Sequence, residues 1–242
     1  MMIENEIHFF DLLNKRMDVS FYRSRFDFTS KSFLSFPVSE ILWINPPVKY
    51  DNLSDNDAIS FVPMEVVDEQ YGKIAEQRIT TVSKTKGFTK FKENELIWAK
   101  ITPCMQNGKS AIARNLVNGY GCGSTEFYVL RPKTDNILIE YSHFILRDKR
   151  ILESAKNSFG GSAGQQRVSS GYLKSIQIPF PPIEKQNEIA EQIQSIRTNV
   201  RQLMREARAV LENAKREVEK IIMDDKEVSN KNSDIWNVKK RQ

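Results

Sequence analysis

The chain has 242 residues, 40% hydrophobic and 28% charged, which is enough for one large core with an appendage or for two modest domains. No apolar run approaches the roughly 18 residues of a bilayer span, and Met1-Met2-Ile3-Glu4-Asn5-Glu6 places acids where a secretory leader carries basic residues, so a cytoplasmic protein away from membranes is expected. The formal net charge of +5 says little by itself, since many unrelated proteins are this basic.

The distribution of charge says more. Residues 36–70 set Lys49 against Glu40, Asp51, Asp55, Asp57, Glu65, Asp68 and Glu69, whereas residues 71–114 hold nine Lys and Arg against Glu76, Glu93 and Glu95. A local basic excess of this kind can form a face that displaces counterions from phosphates. A solvated lysine-rich surface is the plainer alternative.

Residues 1–35 mix aromatic and charged side chains without a clean period and read as a helical or irregular lead-in. From residue 36 to about 132, short β-rich runs alternate with Pro, Gly, Asn and Asp punctuation. They include Ile59-Ser60-Phe61-Val62, Leu96-Ile97-Trp98-Ala99-Lys100-Ile101 and Phe127-Tyr128-Val129-Leu130, and they predict a strand-dominated domain. Trp43, Phe88, Phe91 and Trp98 are expected to pack inward, as aromatics on strands do. Ile139, Phe144, Ile145, Ile151 and Leu152 recur at helical spacing and predict a helix over residues 137–154. Phe159-Gly160-Gly161-Ser162-Ala163-Gly164 is too rich in glycine for the interior of an element and reads as a loop. A last strand, Ile176-Gln177-Ile178, ends at Pro179-Phe180-Pro181-Pro182, where the prolines stop ladder pairing.

Beyond these prolines, Ile193, Ile196, Val200, Leu203, Ala207, Val210 and Ala214 alternate spacings of three and four, the seam of a coiled coil, inside near-balanced charge. No Gly or Pro interrupts residues 183–223, so one helix is predicted there, on the order of 60 Å long at about 1.5 Å per residue. Its apolar row requires a partner, because each large side chain left in water forgoes roughly 1.5–3 kcal/mol. Residues 224–242, ending Lys239-Lys240-Arg241-Gln242, are polar and basic and are expected to form a disordered tail. The fold class is therefore α+β, a mixed β-rich domain followed by one long coiled-coil helix.

Residues with recognisable chemistry are few. Cys104 and Cys122 make no disulfide framework, and with His8 and His143 they make no zinc ligand set. Asn45-Pro46-Pro47-Val48 resembles the tetrapeptide with which DNA amino-methyltransferases hold a target amine, but Val48 stands where an aromatic would stack on a flipped base. There is no Walker-type phosphate loop, no His-Glu-x-x-His and no evident nucleophile triad. No catalytic residue, metal ligand or cofactor of the chain's own is assigned.

Three stretches in order resemble the specificity subunits of type I restriction-modification systems. They are Gly123-Ser124-Thr125-Glu126-Phe127-Tyr128-Val129-Leu130-Arg131-Pro132, then residues 160–168 with Tyr172-Leu173-Lys174-Ser175-Ile176, then Ile178-Pro179-Phe180-Pro181-Pro182-Ile183-Glu184-Lys185-Gln186. The last is similar to the family's entry into its long spacer helix. The resemblance covers about residues 36–223 and implies a non-catalytic subunit that chooses a site on double-stranded DNA and docks methyltransferase subunits, and in some systems a motor-nuclease restriction subunit. S-adenosylmethionine would then belong to the methyltransferase partner. In these terms residues 36–182 are a DNA target-recognition domain, 183–223 a spacer helix, and 1–35 and 224–242 flanking segments.

The usual family member carries two recognition domains and two antiparallel helices, whereas this chain has one of each. Two copies paired through the seam at Ile193, Ile196, Val200, Leu203, Ala207, Val210 and Ala214 would rebuild that arrangement as a homodimer and select a palindromic bipartite site. Pairing with a different specificity chain would give an asymmetric one. Candidate DNA-binding residues are Lys84, Lys86, Lys100, Gln106, Asn107 and Lys109 beside turn signals, and Gln165, Gln166 and Arg167 on the glycine loop. Paired hydrogen bonds from Arg or Lys read guanine and from Asn or Gln read adenine, while lysines mostly meet phosphates. Two other readings stay open: a coiled-coil adaptor whose β-rich domain binds protein, and a small DNA-modifying enzyme built on Asn45.

Overall fold

The structure, a computed structural model, describes residues 30, 32–160 and 166–239, with residues 157, 160 and 224–239 described by their backbone alone. In chain order the elements are β1 (Ser35–Pro37), α1 (Val38–Ile41), β2 (Leu42–Ile44), β3 (Ala58–Val62), β4 (Val67–Asp68), β5 (Lys73–Ile74), β6 (Arg78–Thr81), β7 (Thr89–Lys92), β8 (Leu96–Ala99), β9 (Ser110–Ile112), β10 (Tyr120–Gly123) and β11 (Phe127–Pro132). Then follow α2 (Ile139–Leu146), α3 (Lys149–Ala155), β12 (Phe159–Gly160), β13 (Arg167–Val168), α4 (Ser170–Ser175), β14 (Gln177–Pro179) and α5 (Ile183–Lys239). The chain divides into two compact units, residues 1–189 and 190–242.

Two four-stranded sheets organise the first unit, one in the order β6-β3-β10-β7 and the other in the order β2-β11-β8-β9. Strand side chains alternate between faces, and in the central strands β8 and β11 of the second sheet both faces are dry. On one face Leu96, Trp98, Tyr128 and Leu130 pack against helical residues such as Ile145, Leu146, Ile151 and Leu173. On the other, Ile97, Ala99, Phe127 and Val129 meet Val62 and Phe91 of the first sheet. This is why β8 and the first four residues of β11 are apolar without interruption: a strand covered on both sides has no polar face to show. The α+β class and the long C-terminal helix are as the sequence indicated.

Close approach explains Gly123. Strand β10 runs parallel to β3 with Gly123 opposite Val62, and a Cβ on Gly123 would stand 2.1 Å from the Val62 carbonyl oxygen. The conspicuous Gly123-to-Pro132 stretch thus begins where only glycine fits.

The single helix expected over residues 137–154 is two. Asp148 takes an extended conformation, and its carboxylate accepts a hydrogen bond from the Arg150 backbone N–H at 2.8 Å, which ends α2 and caps α3. Aspartate is among the preferred residues at a helix start, so this signal is present in the sequence. Helix α4 is an addition, opened by Ser169, whose hydroxyl accepts from the Tyr172 N–H at 3.1 Å. The last strand, β14, pairs antiparallel with β1, setting Phe36 opposite Ile178.

Helix α5 begins at the expected residue. Its first turns are held in the first unit by Gln186, which is 0% exposed. The Leu138 N–H donates to Gln186 Oε1 at 2.8 Å, and Gln186 Nε2 donates to the carbonyls of Asn136 and Pro181 at 2.9 Å each. The disordered tail expected from residue 224 is not what the backbone shows as far as Lys239, where the helix still continues. No Gly or Pro occurs between Ile183 and Lys239, so nothing in the local chemistry stops it. The lead-in expected over residues 1–35 lies outside the described residues except at residue 30 and its last four positions. His8 also lies outside. No described helix is long and apolar enough to cross a membrane.

Candidate nucleic-acid interface

The basic stretch is partly neutralised by the acidic one that precedes it. Arg78 donates to Glu65 at 2.5 Å and to Glu76 at 2.8 Å, Lys92 pairs with Asp51 at 3.0 Å, and Arg114 pairs with Glu140. These partners hold the Asp51 and Glu76 carboxyls below their usual range. Lys109 is half-buried, and its ammonium donates to the Met64 carbonyl at 3.2 Å. What remains is narrower than the sequence count implies: Lys73, Lys84, Lys86, Lys90 and Lys100 pair with no described carboxylate.

The residues nominated from sequence separate accordingly. Lys84 and Lys86 are exposed on the turn between β6 and β7, and Gln106 is exposed between β8 and β9. Asn107 is also exposed there but donates to Glu69 at 3.1 Å. Gln166 offers its backbone carbonyl to the Thr102 N–H at 2.9 Å. Arg167 is clamped: its Nε and Nη2 donate to the two carboxylate oxygens of Glu126 at 2.8 and 2.7 Å. These hydrogen bonds pull the Glu126 carboxyl below its ordinary value against the opposing effect of burial. The carboxylate engages the Nε–Nη2 edge of the guanidinium and fixes its orientation on β13. Gln165 lies outside the described residues.

Two of the four aromatics expected inside are not. Phe91 and Trp98 are 0% and 1% exposed, but Trp43 is 54% and Phe88 41% exposed. Trp43 sits on the edge strand β2, where its neighbour Leu42 takes the inward face, and the Lys133 ammonium lies 4.5 Å above its ring. Phe88 ends the turn that carries Lys84 and Lys86 and meets Phe61 edge-on at 5.2 Å. Gly87, with φ of +86°, permits that turn.

Asn45 is structural. It has φ of 51° and pairs twice with the strand beside it, its N–H donating to the Val129 carbonyl at 2.7 Å and its Oδ1 accepting from the Val129 N–H at 3.0 Å. Its side-chain oxygen is thus engaged with backbone and not available to a target amine. His143 is buried, with Nε2 3.0 Å from the Ser110 hydroxyl. Cys122 is fully buried, and burial pushes its thiol up to about 11, so at neutral pH it is an inert apolar filler. Among the described residues no group of acidic, histidine or cysteine side chains could hold a metal ion.

In the second unit, the residues nominated as a seam lie in water. Ile196, Val200, Leu203 and Val210 are 62%, 40%, 63% and 67% exposed, Ala207 and Ala214 are exposed and Ile193 half-buried. Past its expected end the same alternation meets Glu217 and then Ile221, which is 62% exposed, while Val218, 54% exposed, stands one position off the row.

Residues 36–213 match the family described as the type I restriction modification DNA specificity domain, and the chain belongs to that family. Over 153 residues it is 37% identical to the type I restriction enzyme EcoAI specificity subunit of Escherichia coli and 35% identical to the EcoEI specificity subunit of the same organism. Each match takes in 63% of this chain, which spans about a quarter of those relatives' length (26% and 25%). The fold is similar to that of the HsdS subunit from Thermoanaerobacter tengcongensis, with a TM-score of 0.59 and 19% identity over 73% of this chain and 44% of that one. It is also similar to a chain solved in work on complex assembly and conformational transition of the type I R-M system, with a TM-score of 0.57 and 20% identity over 72% of this chain and 44% of that one.

Proposed function

We propose that this chain reads double-stranded DNA for a type I restriction-modification complex, one half-site per chain, and performs no chemistry itself. Two copies pair through the apolar row of α5, so that two recognition domains address a palindromic bipartite site at a separation set by the helices. Methyltransferase subunits, which would carry S-adenosylmethionine, and in some assemblies a restriction subunit, dock on that pair. The observation that carries this reading is the exposed apolar seam of the long helix that follows the stretch matching the specificity domain. Covering Ile196, Leu203 and Val210 alone would stabilise an assembly by roughly 1.5–3 kcal/mol per side chain.

The test is the solution mass by light scattering of the purified chain and of a variant carrying Ile196→Glu and Leu203→Glu. A dimer that the variant loses is the expected result. A monomer in both rejects self-pairing and turns the search to a second specificity chain or a methyltransferase subunit as the partner of the row. Binding that neither weakens with salt nor favours duplex DNA would instead support a protein-binding adaptor.

A further inference from the structure

Where the two sheets meet, a cleft of about 320 Å³ is lined by Asn45, Pro46 and Val48 of the chain after β2, Thr89 and Lys90 of β7, Lys100, Thr125, and Phe127 and Val129 of β11. Its floor is buried, Phe127 and Val129 being 2% and 1% exposed. Its polar lining residues are Lys90, Lys100, Thr89, Thr125 and Asn45, with no carboxylate among them. Glu126 feels the charge of Lys100, but its own charge is already matched by the bidentate Arg167.

Both ammonium groups rest on tyrosine faces, Lys90 Nζ 4.7 Å from the centre of the Tyr50 ring and Lys100 Nζ 5.4 Å from that of Tyr128. The Tyr128 ring is itself fixed by stacking with Trp98 and by its hydroxyl, which donates to the Val168 carbonyl at 3.0 Å. An aromatic face restrains an ammonium without using its N–H donors, so each lysine keeps hydrogen bonds for an anion. Another cavity, of about 520 Å³, has the opposite character, with Glu93, Glu95, Asp135 and Glu140 outnumbering Lys92 and Arg131.

We propose that the cleft is a phosphate seat in which Lys90 and Lys100 hold the backbone of the bound duplex. The two lysines fix the position of the domain on DNA and leave base reading to other side chains. Lys84 and Lys86, on the turn that leads into β7, extend the positive surface beside the seat. This assignment rests on the reading of the chain as a DNA-binding subunit, and it adds Lys90, which no sequence signal distinguished from its neighbours.

The experiment measures duplex affinity across a range of salt for the wild-type chain, for Lys90→Gln with Lys100→Gln, and for Lys90→Arg with Lys100→Arg. Removing one neutralised phosphate lowers the slope of log K against log salt by about 0.9, so the glutamine pair should lose about 1.8 in slope while the arginine pair keeps it. The loss should be equal on cognate and unrelated duplexes, leaving their affinity ratio unchanged. Wild-type binding with the same slope and affinity in the glutamine pair overturns the phosphate seat alone. Loss of slope with a changed preference between duplexes overturns it in favour of base reading at the cleft. A wild-type chain that binds no duplex at low salt removes the DNA-binding reading and the seat with it. Thermal melting of each variant, expected to match the wild type because both lysines reach solvent, separates loss of binding from loss of fold.

Discussion

Replacing Gln186 by Leu keeps the volume of a fully buried side chain and removes three hydrogen bonds at once. The Leu138 N–H loses its acceptor, and the carbonyls of Asn136 and Pro181 lose their donor. Each such bond contributes a net of roughly 0.5–1.5 kcal/mol, and a buried backbone group left without a partner costs more, so a loss of about 2–4 kcal/mol is expected. For a domain of this size that corresponds to a fall in melting temperature of roughly 4–16 °C. Gln186→Glu sharpens the test, because a carboxylate still accepts from Leu138 but faces two carbonyl oxygens with nothing to donate. It should be at least as unstable at neutral pH. Urea unfolding followed by the fluorescence of buried Trp98 measures both variants. A Gln186→Leu protein within about 0.5 kcal/mol of wild type, well inside the range of ordinary surface changes, would mean that these groups find other partners and that Gln186 does not anchor the start of α5.

Other consequences can be measured directly. Gly123→Ala should destabilise the first unit by about 3 kcal/mol or more, at the upper end of overpacking penalties, because its Cβ would press on the Val62 carbonyl at 2.1 Å; a melting temperature equal to wild type would contradict the parallel β3–β10 register. Stability should be level at neutral pH and fall in acid, since the carboxyls of Glu126 and Asp148 are held below their ordinary range chiefly by hydrogen bonds from Arg167 and Arg150. The unfolded chain binds those protons more readily than the folded one, so the contribution is present above about pH 5 and lost as pH drops below about 4. Glu126→Gln should lower stability at pH 7 and flatten that acid limb, and identical limbs in the two proteins would show that the pair with Arg167 is not its source.

Elements whose signals are local are legible in the sequence. The β-rich domain, the start of the long helix at Ile183 and the heptad row are set by the alternation, proline punctuation and spacing of neighbouring residues. Two conspicuous stretches acquire physical reasons from the fold. Gly123 opens one because no Cβ fits beside Val62, and Gln186 closes another because it satisfies three backbone groups of the domain. The break at Asp148 is readable as a helix cap, but the apolar period runs straight through it and masks it. The continuation of α5 beyond residue 223 follows from the absence of glycine and proline, although the polar composition suggests otherwise.

Which cations face solvent cannot be read in the same way. Lysines and arginines of residues 71–114 are interchangeable as a count, yet folding brings Asp51 to Lys92 and Glu65 to Arg78, and beyond that stretch Glu126 to Arg167, while Lys90 and Lys100 are left to share one cleft. The Asp51–Lys92 and Glu126–Arg167 pairs each join residues 41 positions apart, a separation over which periodicity carries no information. Sequence alone therefore determined what kind of elements form and which family they belong to, because those depend on local pattern. The positive surface available to a partner was decided by tertiary structure, because a charge is cancelled by whatever the fold places beside it.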